Sequence, residues 1–223
     1  MKFLDYKLAE NAVAEAAGKY LYFKNDELQP IVETWQQYRN TVGEKIIHST
    51  RQLDGVFRLT SQALVSASLF TQVSMQWQSE HTVDAVYDTD NKQCYHQLDA
   101  GKSMSLALPD APIYPLMRVY TGALIKHISR LGGEADIVIP DIRPNNSANE
   151  KLLPLLSTRR CEFHGNEEII LAGEKLACER WSFIGDQYSS DSEFWLSAEG
   201  LLLRYCWPQD DISNWRVELV QDI

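Results

Sequence analysis

The sequence predicts a mainly β protein with minor α content: a strongly curved antiparallel sheet or half-barrel, enclosing a cavity and plugged by one internal helix. Three observations predict it. Alternating or aromatic-rich segments recur along the chain, separated by short turn signals. They number roughly nine to eleven, more than an open sheet holds without curling. One central stretch, Pro115 to Leu131, changes to helical spacing. At 223 residues the chain is within reach of one all-β unit, and a single domain over 1–223 is expected.

Taken in order, Asp5 to Ala17 reads as a helix rich in alanine and glutamate, with Gly18 as its stop. Tyr20 to Phe23 is aromatic and suits the start of the sheet or packing over its end. Strands are expected at Ile31–Arg39, Glu44–Arg51, Val56–Leu64, Phe70–Gln78, His81–Tyr87, Gln93–Leu98 and Met104–Leu108, with turns such as Leu53-Asp54-Gly55 between them. In Pro115–Leu131, the residues Leu116, Val119, Tyr120, Ala123, Leu124, His127, Ile128 and Leu131 share one side. Pro115 suits a first turn and Gly132-Gly133 an end. Glu134 to Ile139 is a further strand. Pro140 to Asn149 holds two prolines and three asparagines and reads as a loop. Arg159–His164 and Glu168–Leu171 are expected to form a hairpin across Gly165-Asn166.

The stretch Glu168 to Leu219 organises the rest as an antiparallel meander. Leu176 to Ile184 is one strand, Ser192 to Ser197 the next, and Ala198-Glu199-Gly200 a short turn. Leu201 to Trp207 returns, and Pro208, which cannot donate to a ladder, is expected to end that strand. Trp215 to Val220 closes the set. The tryptophan before the glycine turn, followed by Leu201-Leu202-Leu203-Arg204-Tyr205, resembles the closing strands of LolA-like (lipoprotein-carrier-like) sheets and their bacterial relatives. Gly43-Glu44-Lys45-Ile46-Ile47 resembles their opening hairpin. The likeness covers scattered pieces of about half the chain. It implies a curved sheet around helices and an apolar cavity, and by analogy admits catalysis without a cofactor.

Charge narrows the functions further. A formal charge of -10 argues against a nucleic-acid partner, because a phosphate backbone demands clustered lysine and arginine. It also argues against adhesion to an anionic membrane. No run approaches the ~18 apolar residues of a membrane span. Asp5, Lys7 and Glu10 interrupt the start before an apolar segment of leader length can form. A cytoplasmic location and no membrane insertion are therefore expected. The four cysteines, Cys94, Cys161, Cys178 and Cys206, show no paired spacing and read as free, small apolar residues.

The expected function is binding of an apolar or aromatic small molecule in the sheet's cavity, by a cofactor-independent isomerase, cyclase or lyase of small-molecule biosynthesis. A non-catalytic carrier or sensor of a hydrophobic ligand or lipid is the alternative. No cofactor and no metal are expected: Cys94 and His96 are two ligands without a second pair. A homodimer stays open as an assembly. The candidate catalytic residues are His48, Arg51 and Arg204. Histidine would transfer protons and arginine would hold a carboxylate or enolate. On a strand, His48 and Thr50 face one way and Ser49 and Arg51 the other, so at most one pair faces a cavity. Candidate ligand-binding residues are Tyr120 and His127 on the helix, with Trp77, Trp195 and Tyr205 as aromatic walls. Each has a plainer reading, as a wet sheet face or as core packing.

Overall fold

The computed structural model describes residues 12–66, 69–99, 101–185 and 191–220. Fourteen strands form one antiparallel sheet. The first half comprises β1 (Val13–Lys24), β2 (Glu27–Arg39), β3 (Lys45–Leu53), β4 (Phe57–Ser66), β5 (Leu69–Gln78), β6 (Thr82–Asp88), β7 (Gln93–Leu98) and β8 (Met104–Ala107). The second comprises β9 (Glu134–Pro140), β10 (Pro154–Leu171), β11 (Glu174–Ile184), β12 (Glu193–Leu196), β13 (Leu202–Asp210) and β14 (Ser213–Val220). Each half is a meander, and β1 pairs with β14 to join them. The edges of the sheet are β8 and β9, which do not pair, so the sheet curls without closing into a barrel. The chain passes from one edge to the other through a single helix, α1 (Arg118–Arg130).

Cross-strand pairing defines one inner face across all the strands that matter for the cavity. Tyr22 lies opposite Val217, Tyr20 opposite Glu33, Glu33 opposite Arg51, Arg51 opposite Leu59, and Leu59 opposite Trp77. On the other half, Trp215 faces Trp207, Tyr205 faces Phe194, and Phe194 faces Trp181. Directly opposed residues share a face, so these side chains all point to the concave side. There they meet α1, which packs against β5, β9, β10 and β13 and so touches both halves. Val119, Tyr120, Leu124 and Ile128 are buried as the helical spacing predicts; Ile125 joins them, whereas Ala123 and His127 are half-buried and Leu131 is exposed. Gly122 is the close-approach position. A Cβ there would stand 1.9 Å from the Gly200 carbonyl oxygen, so only glycine lets the helix rest on the β12–β13 turn.

The mainly β fold, its curvature and the single plug helix agree with expectation. Four local expectations do not. Val13 to Ala17 belong to β1 rather than a helix, because tertiary pairing with β2 overrides alanine's propensity. The remainder of the expected N-terminal helix lies outside the described residues. The expected hairpin at Gly165-Asn166 is instead the middle of an 18-residue strand, β10; the irregularity there is a bulge between Phe163 and Gly165, for which a glycine at positive φ is suited. Pro208 does not end β13. Among the described residues, pairing with β12 reaches Cys206 and no further, so a missing N–H is tolerated at Pro208. The sheet also holds more strands than the roughly nine to eleven expected from its turn spacing.

Candidate functional site: a cavity at the mouth of the sheet

The end of the concave face nearest the start of α1 is an open cavity of about 840 Å³. Its walls are aromatic and aliphatic. Phe57 and Trp77, neighbours on the inner face of β4 and β5, stack with centroids 5.0 Å apart and planes 6° from parallel. Trp215 of β14 forms another wall, with Tyr22, Ile31, Val56 and Ile142. Behind Trp215 a row of stacked rings runs into the core: Trp215 on Trp207, Trp207 on Tyr205, Tyr205 on Phe194, with centroids 5.4, 4.7 and 5.1 Å apart. Such offset stacks hold large side chains in fixed orientation, so this wall is preformed.

Behind Tyr22 and Arg51, which line the cavity, lies a buried charged cluster. Glu33, wholly buried, faces Arg51 on the next strand and Arg118 at the start of α1. One Glu33 carboxylate oxygen accepts the Arg118 backbone N–H at 2.5 Å and the other accepts the Tyr22 hydroxyl at 3.1 Å. The helix has no side-chain cap of its own at Met117, so Glu33 supplies one from the sheet. Burial pushes the Glu33 carboxyl above the usual carboxylate range, and the two guanidinium groups pull against that. Arg51 donates to the Leu116 carbonyl at 3.2 Å. Leu116 adopts φ +58°, a conformation that costs a branched residue of order 1 kcal/mol or more. The Arg118 guanidinium lies 4.6 Å over the Tyr205 ring. Arg51, Glu33 and Arg118 together clamp the helix start onto the sheet.

The remaining side of the cavity is the loop from Asp141 to Leu153. Its base is tied at several points. The Asp141 N–H donates to the Leu153 carbonyl and the Leu152 N–H to the Asp141 carbonyl, and Tyr87 and His96 reach the Leu152 and Lys151 carbonyls. Ser147 and Glu150 form a reciprocal cap on the short 3-10 turn Ala148–Glu150. Arg143 grips Asp141 with two nitrogens. Burial works against the Asp141 carboxylate, but these bonds outweigh it and hold the group below its usual range. Lys151 lines the cavity from this loop, its ammonium donating to the Arg143 carbonyl and lying 5.0 Å over the Trp77 ring. At the exposed rim stand Glu80 and His81; the His81 Nδ1 is 3.0 Å from an Asp99 carboxylate oxygen.

Of the residues singled out from sequence, Arg51 and Trp77 line this cavity. Tyr205 stands behind its wall in the aromatic row. His48 is exposed on the outer face of β3, opposite to Arg51. Arg204 also points outward, bound to Glu218 at 2.6 Å and to the Ile170 carbonyl at 2.6 Å. His48 and Arg204, both candidate catalytic residues, are therefore not brought together with Arg51, because strand alternation sends these two to the convex side. Trp195 is opposite Arg204 on that outer face, donating to Glu167. Tyr120 is buried between helix and sheet, donating to the Ile47 carbonyl at 3.1 Å and packing edge-on against Phe70. His127 lies nine residues beyond Arg118, roughly 14 Å along the helix at 1.5 Å per residue, away from the mouth. Sequence reading missed Tyr22, Glu33 and Lys151. A signal for Glu33 existed: alternation puts it between Ile31 and Trp35 on one strand face, where a lone carboxylate needs a buried partner.

No family model matches the chain, and no curated protein matches it. Solved structures give the fold a parallel. A β-barrel-like protein of the domain of unknown function DUF1849 from Brucella abortus superposes with a TM-score of 0.50 at 8% identity, over 94% of this chain and 98% of that one. A DUF1329 family protein from Desulfovibrio piger aligns over 97% of this chain and 88% of its own at 8% identity, with a TM-score of 0.17, too low to carry an argument. The first likeness speaks for the β-barrel-like architecture alone.

Proposed function

We propose that this protein binds an apolar or aromatic small molecule in the mouth cavity, as a carrier or sensor. The observation that carries this reading is the cavity of about 840 Å³ between the Phe57–Trp77 stack and Trp215. That volume lies within the range of small-molecule pockets, which are largely apolar with a few placed polar groups. Its walls hang on a sheet whose rings are already stacked, so little ordering is required on binding. The resemblance of the closing strands to LolA-like sheets is in keeping with it.

A second reading, a cofactor-independent isomerase, cyclase or lyase, rests on His81. Aspartate orients its ring at the rim, an arrangement suited to proton transfer. Both partners are about half exposed, however, which leaves the pair in water rather than in a desolvated site. Binding without chemistry therefore takes precedence.

Titration with the neutral fluorophore phenylnaphthylamine tests the reading. Saturable binding of one probe per chain is expected, with quenching of tryptophan emission. Ala148→Trp, which fills the cavity from the loop side, is expected to abolish it. Probe uptake that ignores this substitution would place the ligand elsewhere.

A further inference from the structure

We propose that the ligand of this cavity is an anion: a planar or apolar body between the aromatic walls, with its acidic group held by Arg51 and Lys151. The inference rests on the reading of the cavity as a small-molecule site and adds the chemical class of what it takes.

The two cations come from opposite sides of the cavity, Arg51 from the sheet and Lys151 from the loop. Both are nearly out of water, 8% and 6% exposed. Among the described residues lining the cavity, these two are the buried charged side chains. Among the described residues, the carboxylate facing Arg51 is Glu33, and Glu33 is shared with Arg118. Beside Lys151 the acidic neighbour is Asp141, which already holds Arg143 in a two-point contact. The carboxylate that lines the cavity itself, Glu80, is exposed at the rim. An incoming anion meets two buried cations there, and the guanidinium fork and the ammonium can donate charge-assisted hydrogen bonds to it. The aromatic walls supply the remaining contact without demanding a particular shape beyond a flat or apolar one.

A matched pair of probes separates this inference from the reading beneath it. Anilinonaphthalene sulfonate and phenylnaphthylamine share one aromatic skeleton and differ by a sulfonate. The sulfonate is expected to bind about tenfold tighter or more, the gain of a charged hydrogen bond in a buried site. Lys151→Met and Arg51→Met are expected to bring the two affinities close together, read as the ratio of sulfonate to phenylnaphthylamine affinity within each variant. Arg51 also holds the start of α1, so folding of that variant is checked by circular dichroism. Lys151→Met, in the loop, keeps the test decisive if Arg51→Met does not fold. No binding of phenylnaphthylamine would sink the cavity reading itself. Equal binding of both probes to the wild type, or a sulfonate preference that survives Lys151→Met, would overturn the anion assignment alone.

Discussion

Two clusters in this molecule have the same composition and opposite settings. On the concave side Glu33 stands between Arg51 and Arg118; on the convex side Glu218 stands between Arg204 and Arg216, at 2.6 Å from each. The inner carboxylate is fully buried and caps the plug helix. The outer one keeps 16% of its side chain in contact with solvent, and its arginines more. Water screens the outer cluster and shares its hydrogen bonds, so each member is replaceable. The inner cluster has no such reserve, and it couples the sheet and the helix beside the cavity. Identical residue types therefore give a partly solvated patch in one place and a buried structural centre beside the cavity in the other.

The largest effect expected from this contrast is Glu33→Ala. Removing the carboxylate leaves two buried guanidinium groups facing each other and an uncapped helix, a loss of about 3–5 kcal/mol. Glu218→Ala is expected to cost about 1 kcal/mol or less, since its neighbours remain hydrated. Urea unfolding of the two variants makes the comparison, and similar losses would erase it.

Gly122→Ala comes next. The added methyl meets the Gly200 carbonyl and lifts α1 from the β12–β13 turn, costing about 1–3 kcal/mol by overpacking. Because α1 carries Arg118, the same displacement disturbs the inner cluster and leaves the outer one intact. Amide exchange is expected to rise near Arg118 and stay unchanged near Glu218.

Arg204→Met should be milder, within about 1 kcal/mol of wild type, with no change in probe affinity. Weakened binding in this variant would mean that the convex face takes part in the site.

The smallest expected effect is a pH slope. Asp141 has a carboxyl held below its usual range in the folded state. Its stabilising contribution is complete above the unfolded carboxylate pKa and disappears as pH falls through the lower folded value. The stability advantage of wild type over Asp141→Asn is therefore expected at neutral pH and should shrink on acidification. Burial moves Glu33 the other way: its contribution is fullest in acid and fades as pH rises through the raised folded value. Unfolding curves across acidic pH for Asp141→Asn and Glu33→Gln should show opposite trends.

Much of the fold was legible in the sequence because strand alternation and turn residues are local signals. Leu201 to Trp207 alternates, and so does Phe70 to Gln78; the one helical period, Pro115 to Leu131, marks the plug. The alanine-rich start misleads, since pairing across β1 and β2 is not written in either segment alone. Gly165-Asn166 misleads in the same way: a bulge and a hairpin use the same residues, and the partner strand decides between them. The site was legible only in part. Alternation separates His48 from Arg51, but which face is concave depends on how fourteen strands curl. Arg204 and Arg51 look alike in sequence and differ only in which side of the sheet the helix covers. Lys151 carries no local sign at all: its burial comes from a loop anchored by Tyr87 and His96, far away in the chain.

The most direct test is a crystal structure of the complex with anilinonaphthalene sulfonate. The rings should lie between Trp77 and Trp215, with the sulfonate oxygens within hydrogen-bond reach of Arg51 and Lys151. A probe found instead in the leucine-lined hollow around Leu171, Leu176 and Leu203, with the mouth cavity empty, would contradict the account.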